Sequence, residues 1–241
     1  MKRFIDLFVS FFGLLISAPI LLPVIFLVWI QDFKSPFYIA PRVGVNEKEF
    51  SMVKLRSMIV NADQSGVDST SSNDSRITRI GHIIRKFKLD ELTQLWNVLI
   101  GDMSLVGPRP NVKYETSLYT SDEKVLLSVK PGITDISSIV FSDEGQILEN
   151  QEDPDLVYNQ LIRPWKSRLG LIYIKNRSHL FDMQLIVFTV ISIISKQLAL
   201  NWIAVKLKKF GCNEDIILIS KRNIDLYPHP PPGLNEIVNR R

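Results

Sequence analysis

The densest polar chemistry in the chain lies between Arg85 and Pro110. Asp90 and Glu91 are adjacent there. Arg85, Lys86 and Lys88 stand just upstream, and Arg109 follows between Pro108 and Pro110. Paired carboxylates beside several cations suit phosphoryl chemistry. A carboxylate approaching a phosphate meets charge repulsion, which arginines and a divalent cation offset. Carboxylates also act as covalent nucleophiles toward phosphorus. Mg²⁺ takes one or two carboxylates plus phosphate oxygens, so it needs no dedicated protein cage. Glycoside hydrolysis is the rival use, but its two carboxyls flank a sugar bond about 5–10 Å apart. Adjacent residues fit that poorly. The plain alternative is an Asp90 that caps a helix and a Glu91 in its first turn. The basic flank on both sides tips the weighing toward chemistry.

Short elements must position this block. Over residues 77–87 the apolar Ile80, Ile83, Ile84 and Phe87 predict a helical face with basic residues beside it. Leu92, Leu95, Trp96 and Leu99 predict a second helical stripe, closed by Gly101. Asp90-Glu91 sits at the junction. Residues 37–39 and 50–53 read as strands. Residues 61–75, rich in Ser, Asp and Asn, read as a mobile surface loop. A short helix is expected over 121–127, stopped by Pro131-Gly132. A longer one is expected over 153–173, started by Asp153-Pro154. The fold class is therefore α+β, mostly helical.

Composition bounds the rest. The 241 residues carry 29 Lys plus Arg against 25 Asp plus Glu, a net charge of +4, and 46% are hydrophobic. That is enough apolar material for a sizeable core and excludes a disordered chain. A lone cysteine, Cys212, excludes an internal disulfide framework and a multi-thiolate zinc site. The three histidines, His82, His179 and His229, are far apart, against a His-rich metal cluster. The modest positive charge suits an anionic membrane surface or phosphorylated ligands, and no nucleic-acid partner is expected.

The mean hydropathy of +0.10 hides strong segregation. Residues 7–30 contain no charge, which is long enough for a membrane helix. A cleaved signal peptide fits less well, because no cleavage site follows. Pro19 and Pro23 interrupt the run. The stretch before Pro19 rises only about 18 Å, against roughly 30 Å of hydrocarbon. Lys2 and Arg3 precede the run, and Lys34, Arg42, Lys48, Lys54 and Arg56 follow it. Both flanks thus carry the cytoplasmic charge signature. A re-entrant helical hairpin satisfies both flanks, and one kinked spanning helix is the alternative. A second apolar run, 185–195, is too short to span. Beyond it, Trp202, Ile203, Val205 and Leu207 alternate with Lys206, Lys208 and Lys209. That pattern reads as an interfacial amphipathic helix or as a surface helix on the core. Pro228, Pro230, Pro231 and Pro232 make the tail extended or disordered.

Leu89-Asp90-Glu91-Leu92-Thr93-Gln94-Leu95-Trp96-Asn97-Val98-Leu99, followed by Gly101-Asp102-Met103-Ser104-Leu105-Val106-Gly107-Pro108-Arg109-Pro110, resembles the bacterial sugar transferase family, the monotopic phosphoglycosyl transferases. Arg42-Val43-Gly44, Phe50 and Lys54-Leu55-Arg56-Ser57-Met58 resemble its upstream signature. Lys130-Pro131-Gly132-Ile133-Thr134, Tyr173-Ile174-Lys175-Asn176 and Asp182 resemble its downstream blocks. The likeness covers roughly residues 1–200, and several ordered blocks make chance a poor explanation.

The resemblance implies transfer of a sugar phosphate from a nucleotide (UDP) sugar to polyprenyl (undecaprenyl) phosphate, with release of UMP, at the start of a surface glycan. It implies Mg²⁺, held at Asp90 and Glu91, and a covalent phosphosugar on Asp90, with Glu91 assisting in metal or proton handling. Arg85 and Arg109 match phosphate- or nucleotide-binding arginines. Lys54 and Arg56 extend that set, with plain surface charge near lipid as their alternative. It also implies a re-entrant membrane helix bent at a Ser-Pro motif, here Ser17-Ala18-Pro19 with one inserted alanine. The chain then divides into a membrane helix (1–34), a compact cytoplasmic catalytic domain (35–199), and an amphipathic helix with a Pro-rich tail (200–241). The expected place is the bacterial inner membrane, catalytic domain on the cytoplasmic face, with membrane lipids as partners and a homodimer left open. Asp135-Ile136-Ser137-Ser138 replaces the family's Gly-Trp-Ala-Gln, and Ala40-Pro41 stands where a Gln is common. Both departures bear on the sugar. A noncatalytic membrane module and a regulator that binds nucleotide sugars are the rivals; neither releases UMP.

Overall fold

The computed structural model describes residues 1–65 and 69–239. It is mostly helical, with two small two-stranded sheets. The chain opens on α1 (Lys2–Ile30), the one helix among the described residues long and apolar enough to cross a membrane. Its buried residues, Asp6, Ser10, Ser17, Leu21 and Val28, recur at four- and seven-residue steps. They form a single stripe along one side, while Phe4, Phe8, Leu15 and Ile16 face outward.

Both ends of α1 are tied to the same body. Lys2 Nζ lies 2.6 Å from Asp182, and Asp6 accepts from Ser104 Oγ and Leu105 N. Just past the other end, Arg56 pairs with Asp32 at 2.5 Å. The division expected at Pro19 is not seen as two helices: α1 runs unbroken through Pro19 and Pro23. Those prolines forfeit the bonds to the carbonyls four residues earlier, at Leu15 and Pro19. Ser17 Oγ donates to the Leu14 carbonyl at 3.2 Å, one residue before the first freed carbonyl.

The strands β1 (Phe37–Val43) and β2 (Glu49–Leu55) pair antiparallel, with Ile39 opposite Val53. Next come α2 (Arg79–Lys86), α3 (Leu89–Leu92), α4 (Leu95–Ile100) and β3 (Ser104–Val106). The α4 stripe differs from expectation. Trp96 is 52% exposed, and Gln94, Asn97 and Val98 turn inward. The reason is the free edge of β2, whose backbone groups need partners. Val53 N donates to Asn97 Oδ1 at 2.8 Å, Asn97 Nδ2 donates to Ser51 O at 2.7 Å, and Thr93 Oγ1 donates to Val53 O at 3.1 Å. Two polar side chains thus stand in for a third strand.

After α5 (Lys113–Ser117), β4 (Gly132–Thr134) pairs parallel to β3. Then follow α6 (Ile136–Val140), α7 (Glu144–Ile147) and α8 (Pro154–Val157), the last capped by the Asp153 side chain. A π-helical turn, Tyr158–Ile162, leads into α9 (Arg163–Asn176). Last come α10 (His179–Ile194), α11 (Lys196–Lys209) and α12 (Glu214–Lys221).

The boundary expected at 199/200 falls inside α11. Ala199, Leu200, Ile203 and Leu207 are buried in one core with Val98, Ile139, Trp165, Leu185 and Ile217. Trp202 stacks on Phe188 with ring centres 4.0 Å apart, so one face of α11 packs on the core, while Leu198 and Val205 on it stay exposed. The tail lacks regular structure, as expected, but it is docked. Tyr227 and His229 pack on Trp165, His229 N donates to Gln160 O, and Gln160 Nε2 donates to Val238 O. Part of the loop expected over 61–75, residues 66–68, lies outside the described residues. Its far side is pinned, because Ser69 N donates to Asp155 and Ser72 Oγ to Glu149.

Candidate active site

The Asp90 region is built by close backbone approach. The Thr78 side chain caps α2 through Gly81 N at 2.9 Å. Gly81 itself presses on Ser57, where an added Cβ would stand 1.8 Å from the carbonyl oxygen. This packs the helix flat against the chain leaving β2. After α2 the backbone turns through Lys88 in the left-handed region, with φ of 52°. The turn puts Asp90 and Glu91 into the first turn of α3, behind a Lys88 that offers no side-chain cap. Neither acid is itself the cap. Thr93 donates to both the Asp90 carbonyl and the Val53 carbonyl, which locks α3 beside the strand position next to Lys54.

Asp90, Glu91, Lys54, Arg85, Arg109 and Arg42 line one cavity of about 340 Å³. Arg109 arrives from the turn after β3 and sets Nη2 3.0 Å from Glu91 Oε1. Among the described residues the Asp90 carboxylate has no hydrogen-bond partner, so it faces the cavity unengaged. A second cavity of about 370 Å³ shares Arg42, Lys54, Arg85 and Asp90 with the first. Its remaining wall combines Phe37, Met58, Ile59 and Val60 with the charged Lys34, Arg56, Asp63 and Arg76. Asp90 therefore stands on the partition between a polar chamber and a more apolar one.

The electrostatics pull the two acids apart. Burial pushes the Asp90 carboxyl up; the Glu91 charge adds to this, and Lys54, Arg109 and Arg85 oppose it without cancelling it. Burial also works to raise Glu91, but Arg109, Lys88 and Lys54 together hold it below its ordinary value. Lys54 is brought down to about 8, first by burial and then by the Arg109 and Arg42 charges. Arg109 is held upward, chiefly by Glu91. A pair of carboxylates with opposed shifts is the usual basis for dividing two roles.

Five of the expected site residues meet here: Asp90, Glu91, Arg85, Arg109 and Lys54. Arg56 does not. Its guanidinium is spent on Asp32 and on the Ser35 and Val28 carbonyls, and it is only 7% exposed. It clamps the end of α1 from the wall of the second cavity and is not loose surface charge. Ser17 lies on α1, away from the cavity lining. Lys88 of the basic flank and Ser138 of the segment tied to sugar choice also line the cavity, together with Glu115, Glu144, Tyr158 and Lys166, which were not anticipated. The basic run 85–88 signalled Lys88. Nothing local signals Tyr158 or Lys166, which reach the cavity from the π turn and α9.

The donor set suits Mg²⁺. No group of three or more metal-binding side chains occurs among the described residues. Two adjacent carboxylates, one of them unengaged, match an ion that completes its shell with substrate phosphates and water.

The family model for bacterial sugar transferases matches residues 1–196. A UDP-galactose-lipid carrier transferase of Erwinia amylovora is 40% identical over 149 residues, covering 56% of this chain and 31% of that protein. The exopolysaccharide production protein ExoY of Sinorhizobium fredii is 36% identical over 153 residues, covering 57% of this chain and 68% of that protein. An undecaprenyl-phosphate galactose phosphotransferase of Salmonella typhimurium is 39% identical over 149 residues, covering 56% of this chain and 31% of that protein. The chain thus spans about a third of the length of the first and third of these relatives.

Proposed function

The chain belongs to the bacterial sugar transferase family, and from that membership we propose that it moves a sugar phosphate from a UDP-sugar to a polyprenyl phosphate through a covalent intermediate on Asp90. The observation that carries this is the unengaged Asp90 carboxylate, facing a cavity ringed by Lys54, Arg85, Arg109 and Arg42. Relatives named as a UDP-galactose-lipid carrier transferase and an undecaprenyl-phosphate galactose phosphotransferase support the donor and acceptor classes.

In the first half-reaction an Asp90 oxygen attacks the β-phosphorus, which bears the sugar. The bond from that phosphorus to the bridging oxygen breaks, and UMP leaves with the electron pair. In the second, a polyprenyl phosphate oxygen attacks the same phosphorus and Asp90 leaves as a carboxylate. The product is a polyprenyl diphosphate sugar. Arg109 fixes Glu91, and with Lys54 and Arg85 it offsets the charge on the transferring phosphoryl group. Asp90 and Glu91 would hold Mg²⁺, which would supply further charge neutralisation at the transferring phosphoryl group. The polar chamber suits the nucleotide sugar. The chamber bounded by Phe37, Met58, Ile59 and Val60 suits the lipid acceptor, and Asp90 is reachable from both.

We further propose that α1 is embedded from one side of the cytoplasmic membrane and that the catalytic domain lies on the cytoplasmic face. The ion pairs Lys2–Asp182 and Arg56–Asp32 support this, because they hold both ends of α1 on one body. Confinement beside the lipid phosphate raises its effective concentration at Asp90.

Incubating the full chain with Mg²⁺ and a UDP-sugar, without acceptor, should leave a phosphosugar adduct on Asp90 visible by intact mass. UDP-galactose and UDP-N-acetylgalactosamine are the first donors to try, given the relatives' names. An Asp90→Asn enzyme that still turns over, with no aspartate-linked adduct in the parent, would sink the mechanism.

A further inference from the structure

A cavity of about 880 Å³ opens at the other end of α1 and shares no lining residue with either chamber at Asp90. Four cations line it, Lys2, Arg3, Lys130 and Arg177, against two carboxylates, Asp6 and Asp182. Both carboxylates are occupied. Asp182 accepts from Lys2 and Tyr173, and Asp6 accepts from Ser104 Oγ and Leu105 N.

Among the described residues, Arg3, Lys130 and Arg177 have no carboxylate partner. Two of them are nonetheless held in place. Arg3 donates to the Val98 and Leu99 carbonyls at the end of α4, and Lys130 Nζ donates to the Gly101 carbonyl at 2.7 Å. Carbonyl dipoles orient these groups without cancelling their charge. The chain thus spends backbone acceptors on holding two uncompensated cations at one cavity mouth. The walls between them are apolar, with Val45, Val106 and Val129. Phe4 and Leu180 stand exposed nearby in sequence to Lys2, Arg3 and Arg177, at 71% and 70%.

We propose that this cavity seats the phosphate headgroup of an anionic phospholipid, separate from the polyprenyl substrate, and so fixes how the domain sits at the membrane. Charge complementarity selects a phosphate whose headgroup brings no compensating cation, such as phosphatidylglycerol over phosphatidylcholine. The apolar walls and the adjoining membrane helix select a lipid over a soluble phosphate. The proposal rests on the membrane placement of α1 given above, and the two are tested separately.

Flotation of the full chain with neutral phosphatidylcholine vesicles tests the placement. Failure to float overturns both. The lipid site is tested on the full chain in neutral detergent, titrated with dihexanoyl-phosphatidylglycerol or dihexanoyl-phosphatidylcholine, with bound lipid counted by native mass spectrometry. One phosphatidylglycerol per chain is expected, favoured over phosphatidylcholine. Each cation removed should weaken that preference about fivefold. Arg177→Gln tests an exposed cation with little risk to folding, and Lys130→Gln with Arg177→Gln tests the pair. Lys208→Gln with Lys209→Gln removes equal charge from the exposed end of α11 and should change nothing.

An equal loss in that control, or no loss in the cavity variants, overturns the proposal while leaving the α1 placement standing. Displacement of the lipid by inorganic phosphate at constant ionic strength would assign the cavity to a soluble anion. A rise in KM for polyprenyl phosphate in the cavity variants would assign it to the acceptor. Either result also overturns the proposal.

Discussion

Two charged clusters in this molecule look alike in composition and differ in every bond. At one, Glu123 is fully buried beside Arg163. Glu123 Oε1 accepts from Arg163 Nε and Ser167 Oγ, and Oε2 accepts from Arg163 Nη2 at 2.6 Å and from Thr120 N. Arg163 spends its remaining reach on the Leu118 carbonyl and Asn159. At the other, Glu91 has one arginine contact, and Asp90 has no hydrogen-bond partner among the described residues. Cations surround a cavity there instead of closing it. A buried charge that is fully paired holds a fold together, whereas a set that leaves an acid unengaged and cations in surplus is arranged for a ligand not part of the chain.

The sharpest way to break this contrast is Asp90→Asn. Loss of the nucleophile should cut turnover by a factor on the order of 10⁴ or more. The fold should not suffer. Burial raises the Asp90 carboxyl, so its folded value lies above its unfolded one. A carboxyl shifted that way disfavours the native state as pH rises through the window between the two values. At neutral pH the charge works against folding, and Asp90→Asn should leave the melting temperature unchanged or higher. A large fall in melting temperature would mean that Asp90 is structural after all.

Glu123→Ala should do the reverse. It strands Arg163 in the core and should cost roughly 3–5 kcal/mol of stability, measured by denaturant titration. Activity per folded molecule should persist, because neither Glu123 nor Arg163 lines the cavity at Asp90.

Arg109→Lys comes next in size. A lysine keeps the charge but not the fork that holds Glu91. Loss of a charge-assisted bond of about 1.5–3 kcal/mol corresponds to a roughly 10- to 100-fold fall in kcat/KM. Arg56→Lys alters a guanidinium committed to Asp32 in the wall of the second cavity, and should leave kcat/KM for the nucleotide sugar in the folded enzyme near its parent value. Equal losses in both variants would erase the distinction drawn between them.

That distinction was only half legible in the sequence. Asp90, Glu91, Arg85 and Arg109 fall within one continuous block, and local helix and turn signals were enough to bring them together. Lys54 and Arg56 look equivalent, since residues two apart share a face of a strand. But β2 ends at Leu55, so the alternation stops there and Arg56 turns back to Asp32, a residue whose relevance no local pattern carries. The far wall was invisible for the same reason. Tyr158, Glu144 and Lys166 reach the cavity by packing of the π turn, α7 and α9, and their spacing says nothing of that. The α4 stripe misled because a hydrophobic count cannot see an unpaired strand edge that draws Thr93 and Asn97 inward. In α11 the sequence left a lipid-facing and a core-packing reading open, and the buried Ala199, Leu200, Ile203, Ala204 and Leu207 supply the core-packing face.

Lys54 sharpens the open cluster through pH. Its ammonium is brought down to about 8 by burial and by Arg109 and Arg42, while Asp90 and Glu91 partly restore it. A bound diphosphate favours the protonated form, so binding takes up a proton and weakens as pH rises through 8. The dissociation constant for UDP should increase by up to about fivefold between pH 8 and pH 9, read by calorimetry. Lys54→Arg stays protonated throughout and should flatten that rise. A parent enzyme with no such rise would remove Lys54 from the phosphate-facing set.

The smallest effect tests whether the tail belongs with the closed cluster or the open one. His229 packs on Trp165, with ring centres 4.5 Å apart, and its backbone donates to Gln160 in the π turn. That turn carries Tyr158 to the cavity at one end and leads to Arg163 at the other. His229→Ala keeps the backbone bond and loses the ring contact, about 1 kcal/mol, or a melting shift of roughly 2–4 °C for a chain of this size. If the tail only braces the Arg163 side, stability should fall by that amount with kcat and KM unchanged. A change in KM for the nucleotide sugar without a matching loss of stability would mean that the brace extends to Tyr158, and that the open cavity is shaped in part by residues beyond the stretch shared with the family.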